Sequence, residues 1–129
     1  MTPEAADFLD KSKEFLERAP ALLAQGFTDD AGRAAYLAGF HAAQALIFEK
    51  LGRSPKTHSG VQSTFARTTK DEPSLDREMR AFLGRAYNLK AVADYETGRG
   101  AKVTVTQATE AISAARRFVA AIVRLLGIE

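Results

Sequence analysis

The sequence of 129 residues contains no cysteine and only two histidines. Without cysteine, the chain cannot form a disulfide, a thiolate metal site or a cysteine nucleophile, and this absence is typical of a cytoplasmic protein. His41 and His58 lie 17 positions apart, so the H-x-x-x-H and H-E-x-x-H pairs that bind zinc on a helix are absent. We therefore expect no metal site and no cofactor.

The sequence also has no long apolar run. No such run approaches the roughly 20 residues that a membrane-spanning helix needs. The start, "MTPEAADFLDKSKEF", is acidic and amphipathic, whereas a signal peptide has a basic start and an apolar centre. These features predict a cytoplasmic protein without a membrane segment. The formal net charge of +2 and the pI near 9.0 permit nucleic acid as a partner but do not require it.

Hydrophobic residues make up 46% of the chain and charged residues 26%, which is typical of a globular domain. The length predicts a single domain over residues 1–129. Frequent alanine favours helix, and the apolar residues recur at helical spacing. The pattern predicts an all-α, up-and-down bundle of about five helices and no sheet. The predicted helices cover residues 2–25, 28–51, 59–69, 74–96 and 106–126.

Side chains that accept hydrogen bonds mark where these helices begin. The predicted N-caps are Thr2 for the first helix, Thr57 or Ser59 for the third, Ser74 for the fourth and Thr106 for the fifth. Pro20 removes a backbone donor from the first helix, so we expect a kink or a break near Ala19.

The second predicted helix carries two neighbouring apolar stripes, which places it at the centre of the bundle. One stripe contains Tyr36 and Phe40, and the other contains Leu37 and His41. Two interpretations of His41 follow. It is a buried histidine that bonds to a neighbour, or it is a polar group at a seam between helices or subunits.

Two polar segments are candidates for a binding site. In "GRSPKTHSG", His58 lies near the start of the third helix, where free N–H groups attract anions, and Arg53 and Lys56 add positive charge. The alternative is a capped turn with solvated charges. On the fourth helix, Lys90 and Asp94 share one face with Tyr87, near Arg85 and Tyr95. This face is either a polar groove or a surface ion pair.

The chain resembles the HEPN domain family over residues 30–126. The resemblance lies in "GRAAYLAGFHAAQALIFEKLGRSPKTHSGV" and "LGRAYNLKAVADYETG", and above all in "FHAA", "PKTHSGV" and "ADY" at these separations. It implies a helical bundle, a homodimer and a place beside a small nucleotidyltransferase, as in some toxin–antitoxin modules. Many members are metal-independent endoribonucleases that use an Arg and a His separated by about four to six residues.

This sequence departs from the family's ribonuclease motif. Arg33 and His41 have seven residues between them and lie on the second helix. On the fourth helix, Lys90 occupies the position of the Arg, and Asp94 and Tyr95 fall near that of the His. Lysine does not form the paired hydrogen bonds of arginine. Neither Asp nor Tyr ordinarily exchanges protons near neutral pH. We therefore expect no catalytic residue.

Three functional hypotheses follow. The first is a non-catalytic dimeric module that binds a nucleotidyltransferase partner, a nucleotide or RNA. In it, Lys56 and Arg85 face phosphate and Tyr95 stacks on a base or carries a modification. The second is an endoribonuclease with a divergent site that uses His41 or His58. The third is a purely structural helical interaction protein. The candidate binding residues are Lys56, His58, Arg85, Lys90, Asp94 and Tyr95.

Overall fold

The computed structural model describes residues 1–127, which fold into five α-helices with no strand among them. The helices are α1 (Pro3–Ala24), α2 (Thr28–Leu51), α3 (His58–Thr68), α4 (Arg77–Tyr95) and α5 (Val105–Leu125). The predicted all-α bundle of five helices is confirmed. None of the helices in this part of the chain combines the length and the low charge needed to cross a membrane.

Four of the helices begin at a side chain that accepts a hydrogen bond from a backbone N–H three residues further on. These caps are Thr2, Thr57, Asp76 and Thr104. The predictions of Thr2 and Thr57 are confirmed.

The predicted caps Ser74 and Thr106 are wrong. The Ser74 hydroxyl donates to Glu72 instead, and Asp76 takes the capping role. At α5, the Thr104 hydroxyl accepts from the backbone N–H of Gln107, and the side-chain oxygen of Gln107 accepts from the Thr104 N–H. Thr106 lacks such a partner, so the reciprocal pair places the start of α5 earlier.

Pro20 lies inside α1, which continues to Ala24. We expected Pro20 either to kink or to break the helix, and the helix is not broken there. Pro20 removes one backbone donor in the second-last turn of the helix. Ala19 is fully buried and Leu22 and Leu23 pack against the core, so the last turn stays attached through its side chains.

Helix α2 is the centre of the bundle, as predicted, because it contacts each of the other four helices. Small residues let the neighbours approach closely. A Cβ atom at Gly39 would lie 2.1 Å from Cε2 of Phe82 on α4, so any larger residue at this contact between α2 and α4 would require Phe82 to shift.

The first turn of α2 also fixes the connection between α4 and α5. One carboxylate oxygen of Asp29 accepts hydrogen bonds from the backbone N–H groups of Lys102, at 2.8 Å, and Val103, at 2.7 Å. Val103 is buried beneath this contact. The loop that leaves the C-terminal end of α4 is therefore tied to α2 just before α5 begins.

Candidate functional site

His58 is surrounded by three aromatic rings that come from α2 and α4. Its ring centre lies 5.5 Å from that of Tyr36, 5.0 Å from Phe40 and 5.2 Å from Tyr87. The Tyr36 hydroxyl and His58 Nδ1 are 2.8 Å apart, within hydrogen-bond distance. We call these four residues the aromatic cluster. It positions the His58 ring by contacts on several sides and by one polar bond.

Two polar members of the aromatic cluster, Tyr36 and His58, favour their neutral forms. Burial raises the pKa of Tyr36 to about 12, so its phenol is protonated at neutral pH. Burial also lowers the pKa of His58, the charge of Lys90 lowers it further, and Asp94 opposes both effects. When the ring proton of His58 is on Nε2, the Tyr36 hydroxyl donates to Nδ1.

A bridge of charges joins α2 to α4 beside the aromatic cluster. Asp94 accepts from Arg33 Nε at 2.7 Å through Oδ1, and its Oδ2 lies 2.8 Å from Lys90 Nζ. Arg33 Nη1 also donates to Asp30 at 2.7 Å. The side chains of Arg33, Lys90 and Asp94 are 34%, 14% and 20% exposed, so water reaches the bridge. We call the position between Arg33 and Lys90 the anion site.

The three members of the bridge stabilise one another's charges. Burial raises the pKa of Asp94, but the hydrogen bonds from Lys90 and Arg33 outweigh burial and the net pKa is lowered. The hydrogen bond to Asp94 raises the pKa of Lys90. Burial lowers the pKa of Arg33, and its bonds to Asp94 and Asp30 reverse that effect. All three groups are therefore charged at neutral pH.

Two tyrosine rings flank the Lys90 ammonium group. Lys90 Nζ lies 5.9 Å from the ring centre of Tyr87 and 5.8 Å from that of Tyr95, within the range of a cation–π contact. Tyr95 is 71% exposed, whereas Tyr87 is half-buried in the aromatic cluster. The surface thus combines two cations, an aromatic face open to solvent and a half-buried histidine.

The structure brings together four of the six predicted binding residues. His58, Lys90, Asp94 and Tyr95 lie on this surface, while Lys56 is exposed in the loop before α3. Arg85 lies elsewhere. It lines a groove between α4 and α5 with a cavity volume of about 410 Å³, which we call the α4–α5 groove.

Sequence reasoning missed Arg33 and Tyr36 as site residues. It considered Arg33 only as a partner of His41, but Arg33 reaches Asp94 instead. The signal for Arg33 was present, since it is the one cation in the first half of an alanine-rich helix. Tyr36 was read as part of an apolar stripe, and its hydroxyl gave no indication of a bond to His58.

His41 lies apart from this surface. Its Nδ1 is 2.8 Å from Gln44 Oε1, and its ring stacks on Phe15 with centres 5.7 Å apart. Burial lowers the pKa of His41, Gln44 opposes that effect, and the charge of Lys11 adds to it. Of the first interpretation, the bond to a neighbour is confirmed, but the predicted burial is wrong because His41 is only half-buried.

Residues 1–127 contain no group of three or more histidine, aspartate or glutamate side chains arranged to hold a metal ion. The surface offers the chemistry of its own side chains. It can bind an anion between two cations, present a ring for stacking and offer a neutral imidazole.

Comparison with known proteins identifies a family. The model of the HEPN domain matches residues 5–126. "Putative toxin MJ0605" of Methanocaldococcus jannaschii is 32% identical over 90% of this chain and 84% of its own length. "Putative toxin MJ0142" of the same organism is 32% identical over 72% of this chain, but the match spans only 63% of that protein. "UPF0332 protein glr0978" of Gloeobacter violaceus is 29% identical over 93% of this chain and 99% of its own length.

A solved structure shares the fold. The crystal structure of TT1696 from Thermus thermophilus superposes with a TM-score of 0.80 over 95% of this chain and 98% of that one, at 21% identity. The five-helix arrangement is therefore one that a known protein adopts.

Proposed function

This chain belongs to the HEPN domain family, and on that premise we propose that it is a non-catalytic module that binds single-stranded RNA. The observation that carries the proposal is the convergence of Arg33 and Lys90 on one anion site beside the exposed ring of Tyr95. Two relatives carry the name "putative toxin", which supports a role within a toxin–antitoxin type of system.

Each part of the surface suits one part of a nucleotide chain. Arginine and lysine bind backbone phosphate, and contacts of this kind position a nucleic acid without reading its sequence. An exposed aromatic ring stacks on any base, which contributes about 1–3 kcal/mol per base. In this proposal Arg33 and Lys90 hold a phosphate, and Tyr95 stacks on the adjoining base.

Helix α4 lacks the family's pair of Arg and His, which supports binding without cleavage. Arg53 and His58 have the motif spacing, with four residues between them, but Arg53 is exposed in the loop before α3. The resemblance to the family places Lys90 at the motif Arg and Asp94 near the motif His, and the Lys90 ammonium group pairs with Asp94. Neither Lys90 nor Asp94 exchanges protons near neutral pH, because their pairing moves both pKa values further from neutrality.

The test is the affinity for a labelled single-stranded RNA oligonucleotide, measured by fluorescence anisotropy across a range of salt concentrations. We expect Arg33→Gln and Lys90→Gln each to weaken binding and to reduce the slope of log K against log salt by about 0.7, the value for one phosphate contact on a single strand. Arg116→Gln on the exposed side of α5 is the charge-matched control and should leave the slope unchanged.

Arg85→Gln separates this surface from the α4–α5 groove. If Arg85→Gln lowers the salt slope while Arg33→Gln does not, RNA binds in the groove and the proposed site is wrong. If none of the variants changes the binding, or the wild-type protein binds no RNA, the proposed function itself is wrong.

A second candidate function is endoribonuclease activity, which one observation favours. The bond between the Tyr36 hydroxyl and His58 Nδ1 orients the imidazole, as a positioned acid or base requires. The same RNA is analysed on a denaturing gel, with and without a chelator. Our proposal expects intact RNA. Cleavage that persists with chelator, is lost in His58→Ala and is retained in His41→Ala would establish the enzyme instead.

We propose two protein partners as well, a second copy of this chain and a minimal nucleotidyltransferase encoded beside it. The family membership supports both. Co-expression with the neighbouring gene product and purification through a tag on one chain tests the second partner. Retention of the untagged protein through size-exclusion chromatography supports it, and separation of the two chains contradicts it.

A further inference from the structure

The anion site of this molecule already holds an anion, which is its own Asp94. We propose that the Asp94 carboxylate is an internal occupant of a phosphodiester site, and that RNA binds by displacing it from Arg33 and Lys90. This inference rests on the proposed function and adds the chemical class of the ligand and a control on its binding.

The geometry of the carboxylate indicates which anion the site accepts. Asp94 presents two oxygens, of which Oδ1 accepts from Arg33 and Oδ2 faces Lys90, and the two share one negative charge. A phosphodiester has the same features, with two non-bridging oxygens and a single charge. The terminal phosphate of a nucleotide carries about −1.5 to −2 charges on three oxygens. The site therefore matches an internal RNA phosphate better than a free nucleotide.

Asp94 is placed where it can leave the site. It is the second-last residue of α4, and the following residues 95–101 are exposed. A carboxylate in the last turn interacts unfavourably with the negative end of the helix dipole. The ion pairs with Arg33 and Lys90 therefore keep Asp94 in this position. Partly exposed ion pairs of this kind are weak, and a helix end opens at low cost.

The cations retain other contacts when Asp94 leaves. Arg33 keeps its bond to Asp30, and Lys90 keeps the ring of Tyr87 on one side. Both therefore stay near their positions while the carboxylate swings toward solvent. Asp94 lowers the affinity for RNA by competition, since each binding event has to break its two ion pairs.

The test compares Asp94→Asn with the wild-type chain in the same RNA-binding assay. Asparagine keeps the shape but cannot compete as an anion, so we expect about fivefold tighter binding. Asp94→Glu retains the charge and should bind like the wild type. Glu14→Gln, at an exposed position of α1, makes the same change of net charge away from both the anion site and the α4–α5 groove, and should also bind like the wild type. Thermal unfolding confirms that each variant is folded.

Failure of this inference can be distinguished from failure of the proposed function. If Arg33→Gln and Lys90→Gln weaken binding but Asp94→Asn binds equally or less tightly, Asp94 positions the cations and the inference is overturned. An equal gain in Glu14→Gln shows a general charge effect and also overturns it. If Asp94→Asn tightens binding of adenosine monophosphate more than that of RNA, the assignment to a phosphodiester is wrong. If Arg33→Gln and Lys90→Gln have no effect, both proposals are wrong.

Discussion

At the scale of single residues, the contact between Tyr36 and His58 joins two groups that are neutral at neutral pH. Burial raises the pKa of Tyr36 and lowers the pKa of His58, so the hydrogen bond joins two uncharged groups. Protonation of His58 adds a charge within a ring of aromatic groups and next to the cation Lys90. The folded state therefore binds this proton less readily than the unfolded chain does.

The stability of the protein should depend on pH through His58. Its folded pKa lies below the unfolded value of about 6.5, so its stabilising effect is complete above that pH and is lost as pH falls through it. We expect the free energy of unfolding to decrease between about pH 7.5 and about pH 5, and to decrease less in His58→Gln. Urea denaturation at several pH values measures this slope.

His41→Gln is the comparison variant, because the lowered pKa of His41 should contribute to the same pH dependence of stability. Each single variant should remove part of the slope, and the double variant should remove more than either. An identical pH dependence in His58→Gln and in the wild-type protein would contradict the assignment of a lowered pKa to His58.

The sequence predicted the contacts between residues close together on one helix and missed the contacts between residues on different helices. Lys90 and Asp94 lie four positions apart on one helix, and the spacing alone places them together. The bond between Arg33 and Asp94 joins residues 61 positions apart, and that between Tyr36 and His58 joins residues 22 apart. Such pairs depend on how the helices pack, and periodicity carries no information about which faces meet.

At the scale of helices, the packing of α2 on α4 sets the distance between the two halves of the anion site. Arg33 comes from α2, and Lys90 and Asp94 come from α4. The contact between Gly39 and the Phe82 ring controls how closely these helices approach. A larger residue at Gly39 would push α4 away and thereby separate Arg33 from Asp94.

Two glycine substitutions should have opposite effects on stability. At Gly39, a Cβ atom would meet the Phe82 ring at 2.1 Å, and the resulting overpacking should cost about 1–3 kcal/mol. At Gly84, in the interior of α4, a Cβ atom would meet nothing within 4 Å. Gly84→Ala should therefore stabilise the protein by about 0.5–1 kcal/mol through helix propensity.

Chemical denaturation measures both changes, and Gly84→Ala serves as the matched control. Gly39→Ala should also weaken RNA binding if the α2–α4 distance sets the anion site, whereas Gly84→Ala should leave it unchanged. A stability of Gly39→Ala equal to that of the wild type would show that Phe82 moves aside at little cost.

The sequence predicted the existence of all five helices because their apolar residues repeat at helical spacing over long stretches. It was less accurate at helix ends, where several residues could act as caps. Ser74 and Asp76 both precede α4, and Thr104 and Thr106 both lie near the start of α5. Which residue becomes the cap depends on side-chain geometry and not on residue type alone. At α5, for example, the Gln107 side chain accepts a hydrogen bond from the Thr104 N–H.

At the scale of the whole molecule, α4 carries two different surfaces. One contributes Lys90 and Asp94 to the anion site, and the other lines the α4–α5 groove. The groove has an apolar floor, which includes Phe82 and Leu89, and a rim of both charges. The rim residues are Glu78, Arg85, Glu110 and Arg117.

This groove is where we expect the second copy of the proposed homodimer. A two-fold axis pairs a patch with itself. Arg117 already lies 3.6 Å from Glu78 of the same chain, so the rim pair that can match across the interface is Arg85 with Glu110. An apolar floor surrounded by such a rim is typical of protein interfaces. The arrangement also leaves the anion site of each copy outside the interface.

Ala111→Lys should therefore convert the dimer to a monomer, because it places a charge on the floor of the groove. Ala120→Lys adds the same charge at an exposed position of α5 and should leave the dimer intact. Light scattering after size-exclusion chromatography gives the mass of each variant, and circular dichroism confirms that each retains its helices. A dimer that survives Ala111→Lys would place the interface elsewhere, and a wild-type monomer at all concentrations would remove the homodimer from the proposal. Since the anion site lies outside the groove, a monomeric Ala111→Lys should still bind RNA.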